Sequence, residues 1–308
     1  MVLSLDNSDL TVRVLGCSGS YAAPGNPCSG YLVQSPGATV LLDCGPGVLG
    51  PLQEATSFDD LTAIVITHAH GDHWLELPMI HTAYKWFHPR DFEERPIVYL
   101  TGQTRWLYFR LSVQRVAIRA LYDVGLPSES HYGIVDQLVD VSGRPKPVLK
   151  WFWRSLPVGG SLVEDRGSSS LPGQDIKSGS EASIGDQRWR FSRTRHGRTE
   201  TYAVRVDSVG GRSFAFSSDT GPGWDFRSLG EDIDLAMCEA SHSATCNRRS
   251  NLHMTPREAV DATTIAGIQR LVITHVAPCC DPDEQTAEAS SIFRGSVEVA
   301  RPGLVLNV

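Results

Sequence analysis

The chain has 308 residues, of which 41% are hydrophobic and 20% are charged, and its formal net charge is −7. These values are typical of a soluble globular protein with a buried core. The negative charge excludes a general electrostatic attraction to nucleic acid or to anionic membranes, although a local basic patch stays open.

The seven cysteines are scattered along the chain without CxxC spacing. They indicate neither a disulfide framework nor a zinc knuckle, so a reducing compartment is expected. The N-terminal residues contain no basic segment followed by a long apolar run, and no later stretch has the length of a membrane span. We therefore expect a cytoplasmic protein that has no membrane partner.

The first third of the chain predicts a sheet that begins antiparallel, because Ser35-Pro-Gly37 is a hairpin signal between two short apolar runs. Apolar patterning predicts strands at 11–15, 31–33, 39–42, 64–66 and 97–100. Helices are predicted at 48–55, at 74–84 with a kink at Pro78, and from Thr104 to about Tyr122.

The strand at 64–66 leads into a run of metal-ligand residues, His68-Ala-His70-Gly71-Asp72-His73. Because side chains alternate along an extended segment, His68 and His70 leave the strand end on the same side. Gly71 then lets the chain turn, so that Asp72 and His73 point to a second position nearby. This spacing predicts two neighbouring metal sites; the alternative is a polar loop with incidental histidines.

Residues 123–187 are the least regular part of the sequence, since proline, glycine and serine recur there. Acidic residues outnumber basic ones in this segment, so it is a poor candidate for a tRNA-binding arm. A lid, a dimer contact and a disordered excursion are all compatible with it. We expect a single domain over 1–308 with an irregular insertion at about 123–187.

The last third of the chain returns to regular patterns, and several of its elements are followed by polar residues. Strands are predicted at 187–191, 202–206, 213–216, 234–238 and 271–274, and a helix from Thr255-Pro256 to about Ala266. The residues at or beside the ends of these elements are His196, Asp219, Glu239, His253 and His275. A loop histidine or a turn aspartate is ordinary alone, but together with the early run they indicate ligands.

The run His-x-His-x-Asp-His after an apolar strand resembles the signature of the metallo-β-lactamase superfamily. Leu271-Val-Ile-Thr-His275 also repeats the form of Ile64-Val-Ile-Thr-His68, which suggests two similar halves whose strand ends face one edge. The resemblance implies the α/β class and a four-layered αβ/βα sandwich, with the site along that edge. Members with di-iron redox centres usually carry Glu where His70 stands, so this chain resembles the hydrolytic branch.

The resemblance also implies a dinuclear metal centre. Its ligands, carried over position by position, would be His68, His70 and His196 for one metal, Asp72, His73 and His275 for the other, and Asp219 between them. Zinc suits this mixed set of imidazoles and carboxylates, with manganese or iron as alternatives. Water between two such cations loses a proton near neutral pH and becomes an in-line nucleophile, so a hydrolase is implied.

Shorter segments resemble the phosphodiesterase branch that contains ribonuclease Z, namely Leu42-Asp43-Cys-Gly45, Ser218-Asp219-Thr-Gly221, Cys238-Glu239-Ala240 and His253-Met-Thr255. The resemblance implies that Glu239 orients His253, which protonates the leaving oxygen, while Asp72 counts as both a ligand and a catalytic group. Asp43 would orient a ligand imidazole from behind, with a turn-capping aspartate as the alternative. The likeness covers residues 11–100 and 187–300.

The substrate prediction rests on departures from ribonuclease Z. That family usually has a basic Pro-x-Lys-x-Arg segment in its first loop, whereas Ser20 to Ser29 contains no positive charge. The first loops look more like actinobacterial relatives regarded as cyclic-nucleotide phosphodiesterases. We therefore expect hydrolysis of small phosphodiesters, with 3′,5′-cyclic nucleotides as candidates. Arg198, close to His196, is a further candidate for binding the substrate phosphate; a solvent-facing arginine is its alternative.

Three other functions stay open at this point. The first is a tRNA 3′-processing endonuclease, which should have a basic surface. The second is another hydrolase of the fold, a lactonase or an arylsulfatase, with less use for Glu239 and His253. The third is a silent binding scaffold, which would have no need of a complete ligand set. Dimers are frequent in the resembled family, so a homodimer is expected.

Overall fold

The computed structural model describes residues 9–88, 91, 94–108, 171–243 and 251–308. Its strands are β1 (Thr11–Gly16), β2 (Gly30–Ser35), β3 (Ala38–Leu42), β4 (Ala63–Ile66), β5 (Ile97–Leu100), β6 (Gly173–Asp175), β7 (Glu181–Ile184), β8 (Gln187–Arg193), β9 (Tyr202–Ser208), β10 (Ser213–Phe216), β11 (Leu235–Glu239), β12 (Arg270–Thr274), β13 (Ser296–Val299) and β14 (Val305–Asn307). The helices used below are α1 (Leu49–Ala55), α2 (Gly71–Trp74), α3 (Leu77–Trp86), α4 (Pro256–Ile265) and α5 (Pro282–Ile292).

The strands form two mixed sheets, with the orders β14-β1-β2-β3-β4-β5-β6 and β13-β12-β11-β10-β9-β8-β7. In the first sheet β1, β2 and β3 pair antiparallel, as predicted, and β3 to β6 run parallel. In the second sheet β7 to β10 pair antiparallel and β10 to β13 run parallel. Parallel strands end at the same edge of a sheet, so β4, β10, β11 and β12 deliver the residues that follow them to sheet edges.

The main hydrophobic core lies between the two sheets. Along β10, Phe214 and Phe216 belong to this core, whereas Ala215 packs on the opposite face of the sheet. This alternation is that of an extended segment buried on both faces. The ring of Tyr31 in β2 lies 5.1 Å from the ring of Phe216, measured between centroids, which joins the two sheets directly.

Helices supply the outer layers. Ala259 and Val260 of α4 pack on the outer face of the second sheet, and Leu52 of α1 and Ile80 of α3 are fully buried. Helix α4 begins as predicted, with Thr255 as its N-cap in a capping box and proline at its first position. The predicted α/β sandwich with an αβ/βα layer order is confirmed.

Two stretches differ from the sequence prediction. The helix predicted at 74–84 with a kink is two helices, α2 and α3, and Pro78 lies in the first turn of α3, where its missing N–H has no intrahelical role. Strands β6 and β7 lie at the end of the segment predicted to be irregular, and each extends one sheet at its edge. Neither β13 nor β14 was predicted.

The contacts within the chain divide it into two compact units, residues 1–105 with 169–308 and residues 106–168. The first unit holds both sheets; the second lies almost wholly outside the described residues. Residues 102–108 are helical, and the rest of the helix predicted to reach Tyr122 also lies outside the described residues, as does most of the insertion. The single domain with its insertion at about 123–187 therefore stays a prediction. Among the helices described, none is long and apolar enough to cross a bilayer.

Candidate metal centre

The seven side chains predicted to be ligands lie together at one edge of the sandwich, in two groups that we call the first and second clusters. The first cluster contains His68, His70 and His196 with Asp219, and the second contains Asp72, His73 and His275. Within each cluster the ligand atoms lie within 4.8 Å of one another. Both sheets contribute to each cluster, because His196 and His275 follow β8 and β12, whereas the others, apart from Asp219, follow β4.

Asp219 lies between the two clusters and turns one carboxylate oxygen to each. Its Oδ2 lies 3.5 Å from His68 Nε2 and 3.6 Å from His196 Nε2. Its Oδ1 lies 3.3 Å from His73 Nε2 and 3.4 Å from His275 Nε2. A carboxylate that bridges two cations requires this arrangement.

The spacing and the donor atoms fit divalent cations. In a tetrahedral zinc site with bonds of 2.0–2.1 Å, ligand atoms lie roughly 3.3 Å apart. In the second cluster the three pairs of ligand atoms, from His73, His275 and Asp72, are 3.2, 3.6 and 3.1 Å apart. His68 Nε2 and Asp219 Oδ1 are buried and have no hydrogen-bond partner among the described residues, a state that a cation would relieve.

A buried carboxylate, Asp43, holds two of the imidazoles from behind. Its Oδ2 lies 2.8 Å from His73 Nδ1 and accepts a hydrogen bond from Thr67 Oγ1 at 3.0 Å. Since the Thr67 hydroxyl donates its one hydrogen to Asp43, it accepts from His68 Nδ1, which lies 3.1 Å away. Both imidazoles thus carry their proton on Nδ1 and turn Nε2 towards the clusters.

The other two imidazoles of the first cluster have separate partners. His196 Nδ1 donates to the carbonyl oxygen of Leu252 at 2.9 Å. His70 Nε2 lies 3.2 Å from Thr199 Oγ1, and its Nδ1 lies 3.1 Å from His196 Nε2. His70 therefore turns Nδ1 towards the cluster, where the other histidines turn Nε2.

Two loops approach the clusters through their backbones. The N–H of Ser20 donates to Asp72 Oδ2 at 2.8 Å. A Cβ at Gly45 would lie 1.9 Å from the carbonyl oxygen of Asp72, so only glycine allows this approach. Asp43 and His275 have positive φ values of 59° and 56°, a backbone region that non-glycine residues rarely adopt and that is concentrated at functional sites.

The pKa values of two buried groups, Asp219 and His68, are shifted in the direction that favours binding of a cation. Burial would raise the pKa of Asp219, but the nearby His275, His73 and His68 hold that pKa well below its usual range. Burial, together with the neighbouring His73, lowers the pKa of His68 to about 3. An ionised carboxylate and a neutral imidazole are the forms that ligate a divalent metal.

Glu239 and His253 form a pair beside the second cluster. Glu239 is fully buried, and its two oxygens lie 3.0 and 3.1 Å from His253 Nδ1. Burial would lower the pKa of His253, but the charge of Glu239 and its hydrogen bond outweigh burial and raise that pKa to about 9. The His253 ring stacks on His275 with 5.6 Å between centroids and lies 4.9 Å from the ring of His196, so a proton donor lies next to both clusters.

Arg198 lies outside this group. It is exposed two residues after His196, and its backbone carbonyl accepts a hydrogen bond from Gln103 at 3.5 Å. The sequence prediction also missed the hydroxyls that hold imidazoles, those of Thr67, Thr199 and Ser241. Their signal was present only for Thr67, which stands inside the Ile-Thr-His repeat.

Two sequence-family models match the chain. The model described as "Metallo-beta-lactamase superfamily" matches residues 23–87 and includes His68, His70, Asp72 and His73. The model described as "Beta-lactamase superfamily domain" matches residues 143–276 and includes His196, Asp219, Glu239, His253 and His275. Every residue of the two clusters therefore falls within a match.

Similar proteins span nearly the whole chain. An uncharacterized protein of Mycobacterium leprae is 28% identical over 97% of this chain and 89% of its own length. A ribonuclease Z of Halobacterium salinarum is 28% identical over 96% of both chains. The probable metallo-hydrolase YhfI of Bacillus subtilis is 24% identical over 96% of this chain and 99% of its own. The crystal structure of YhfI superposes with a TM-score of 0.69 at 22% identity, over 96% of this chain and 99% of that one.

Proposed function

Because the chain belongs to the metallo-β-lactamase superfamily and is a metal-dependent hydrolase, we propose that it hydrolyses small phosphodiesters, with 3′,5′-cyclic nucleotides as its substrates. The single observation that carries this proposal is the pair of Glu239 and His253 beside the second cluster. A proton donor at that place suits the departure of an alkoxide from phosphorus.

Two divalent cations are part of the proposal. His68, His70 and His196 would hold one, Asp72, His73 and His275 would hold the other, and Asp219 would contact both. When bound, such cations lower the pKa of water and neutralise charge on a phosphoryl group. Zinc suits the mixed set of imidazoles and carboxylates, and manganese and iron are the alternatives. Asp43 keeps two of the imidazoles in the required orientation from behind.

The residues of the chain then supply proton transfer and orientation. His253 donates a proton to the leaving oxygen, and Glu239 fixes its ring through Nδ1. Asp72 would be both a ligand and a catalytic group, and the Ser20 N–H holds its carboxylate in place. The exposed side chain of Arg198, two residues after His196, would bind a substrate phosphate oxygen. A lactonase or an arylsulfatase would have less use for the Glu239 and His253 pair.

A tRNA 3′-processing endonuclease is the second candidate. It is favoured by the similarity to the ribonuclease Z of Halobacterium salinarum, which covers 96% of both chains. It is disfavoured by the net charge of −7 and by a first loop, Ser20 to Ser29, that has no positive charge.

A homodimer and a cytoplasmic location also belong to the proposal.

The deciding experiment measures metal-dependent turnover of 3′,5′-cyclic AMP and, separately, of a precursor tRNA by one zinc-loaded preparation. We expect hydrolysis of the cyclic nucleotide without accurate cleavage of the tRNA. Accurate tRNA cleavage would replace the proposal by the second candidate. Absence of both activities in a protein that carries two zinc ions would show that the substrate class is wrong.

The role of His253 is tested with leaving groups of different basicity. His253→Ala should reduce turnover of cyclic AMP, whose leaving group is an alkoxide, by about 10²–10⁴-fold. It should reduce turnover of bis(p-nitrophenyl) phosphate far less, because nitrophenolate leaves without a proton. His88→Ala is the matched control, since His88 also pairs with a carboxylate, that of Asp59 at 3.2 Å. Equal losses on both substrates would remove His253 from the role of acid.

A further inference from the structure

We propose that Ser241 is a positioning residue, through which one buried carboxylate, Glu239, holds both His253 and the ligand His275. The inference rests on the proposed function for the roles of those two histidines. It goes beyond that function because it assigns a role to Ser241. Through Ser241, the carboxylate of Glu239 orients His275 of the second cluster as well as the proton donor His253.

The hydrogen bonds run in one direction from the cluster to the carboxylate. Ser241 Oγ lies 2.7 Å from Glu239 Oε2 and donates to it. The hydroxyl has one hydrogen, so it must accept from His275 Nδ1, which also lies 2.7 Å away. His275 thereby carries its proton on Nδ1 and turns Nε2 to Asp72 Oδ2 at 3.1 Å and to Asp219. Ser241 is 1% exposed, so water does not replace this partner.

The same device occurs in the other half of the fold. There the Thr67 hydroxyl donates to Asp43 and accepts from His68, while Asp43 also holds His73 directly. Each half therefore has one buried carboxylate that holds one histidine directly and a second through a hydroxyl. In the first half both histidines are cluster members; in the second half one is His275 and the other is His253.

The sequence repeat does not supply the second hydroxyl. Thr274 stands before His275 as Thr67 stands before His68, but its Oγ1 lies 2.6 Å from the hydroxyl of Tyr31. Ser241, two residues after Glu239, takes the place that the repeat assigns to Thr274. The arrangement is thus built from a different strand end, β11, which also presents Glu239.

Loss of the Ser241 hydroxyl should act on one cluster. Without it, His275 Nδ1 loses the hydrogen bond that fixes the tautomer and orientation of the ring, whereas His68, His70 and His196 keep their partners. Removal of such a supporting hydrogen bond typically costs 10–100-fold in metal affinity. We expect that loss for one of the two zinc ions and less than a threefold change for the other.

The test measures both zinc affinities by competition with a chromophoric chelator, without any substrate. Ser241→Ala should weaken one zinc ion selectively, and Glu239→Gln should do the same, because Glu239 accepts the hydrogen bond that orients the Ser241 hydroxyl towards His275. His253→Ala should weaken zinc binding less than either of these variants, because it leaves the hydrogen bonds of Ser241 to Glu239 and His275 in place. Ser208→Ala is the matched control, because Ser208 Oγ also donates to a carboxylate, that of the partly buried Asp9, at 2.7 Å and at the end of β9 away from the clusters.

The outcomes separate this inference from the proposed function. Selective loss of one zinc ion in Ser241→Ala and Glu239→Gln, with the other retained, supports the inference even if no phosphodiester is hydrolysed. Unchanged affinities, or equal loss of both ions, would overturn it even if cyclic AMP is a substrate. The retained zinc ion shows that the fold is intact. If Ser241→Ala does not fold, the zinc affinities of Glu239→Gln and His253→Ala are compared instead, and a selective loss in Glu239→Gln alone supports the inference.

Discussion

At the scale of single residues, Asp219 is the side chain on which both clusters depend. It is 2% exposed, and its two oxygens face different histidine pairs at 3.3 to 3.6 Å. Its backbone follows Ser218, which has a positive φ of 51°, so the carboxylate is aimed by an uncommon turn directly after β10. His253 also contacts both clusters, with its ring 4.9 Å from that of His196 and 5.6 Å from that of His275.

Replacement of Asp219 should therefore affect both cations. In Asp219→Ala we expect each zinc affinity to fall by about tenfold or more, whereas His196→Ala should weaken only the ion of the first cluster. Zinc content after dialysis against graded chelator concentrations measures both. Asp225→Ala, which removes a carboxylate paired with Arg227 away from the clusters, is the control. An Asp219→Ala protein that loses a single ion would contradict the bridging arrangement.

Residues also mark the limit of what the sequence predicts. The ligand types at strand ends were visible because His and Asp are rare in such density, and the structure brings all seven together. Ser241 and Thr199 were not visible, because a serine or threonine after a strand is ordinary in any loop. Their role depends on which imidazole lies within hydrogen-bond distance, and that is set by the tertiary structure.

At the scale of elements, prediction succeeded where a strand is buried on both faces and failed where it lies at an edge. Strands such as β4 and β10 are buried throughout and were predicted within a residue or two. β6 is fully exposed, and β13 alternates between exposed and partly buried residues. Such short edge strands carry little hydrophobic pattern, because their pairing with a neighbour holds them in place.

The start of α4 offers a test at this scale, because its capping box was predicted in part and is present in full. Thr255→Ala removes the side chain that accepts from the Glu258 N–H and should lower the free energy of unfolding by about 1 kcal/mol. Urea unfolding of the metal-free protein measures this change. Thr264→Ala, at an exposed position inside the same helix, should be neutral or slightly stabilising. Equal effects of the two substitutions would show that the cap contributes nothing.

At the scale of the whole molecule, the two clusters join the two sheets. Each cluster combines ligands that follow β4 with a histidine that follows a strand of the second sheet, His196 or His275. The ligands can therefore meet only when the sheets are packed against each other. Because the complete clusters exist only in the folded chain, binding of cations should increase the free energy of unfolding.

Removal of the metal should lower the thermal midpoint of unfolding. For cations bound at concentrations far above their dissociation constants, the linkage contributes several kcal/mol, which corresponds to a fall on the order of 10 °C after chelation. Differential scanning calorimetry before and after treatment with a chelator, and again after zinc is restored, measures the change. Identical midpoints in all three scans would show that the clusters do not bind cations tightly.

The packing of the two sheets also affects which metal ion the clusters can bind. The imidazoles that follow β4 and β12 come from different sheets, and the core between those sheets includes Tyr31, Trp189 and Phe216. Cations of different ionic radius require different separations of their donors. Substitutions that change side-chain volume in this layer should therefore alter which divalent cation binds, while the ligand residues stay the same.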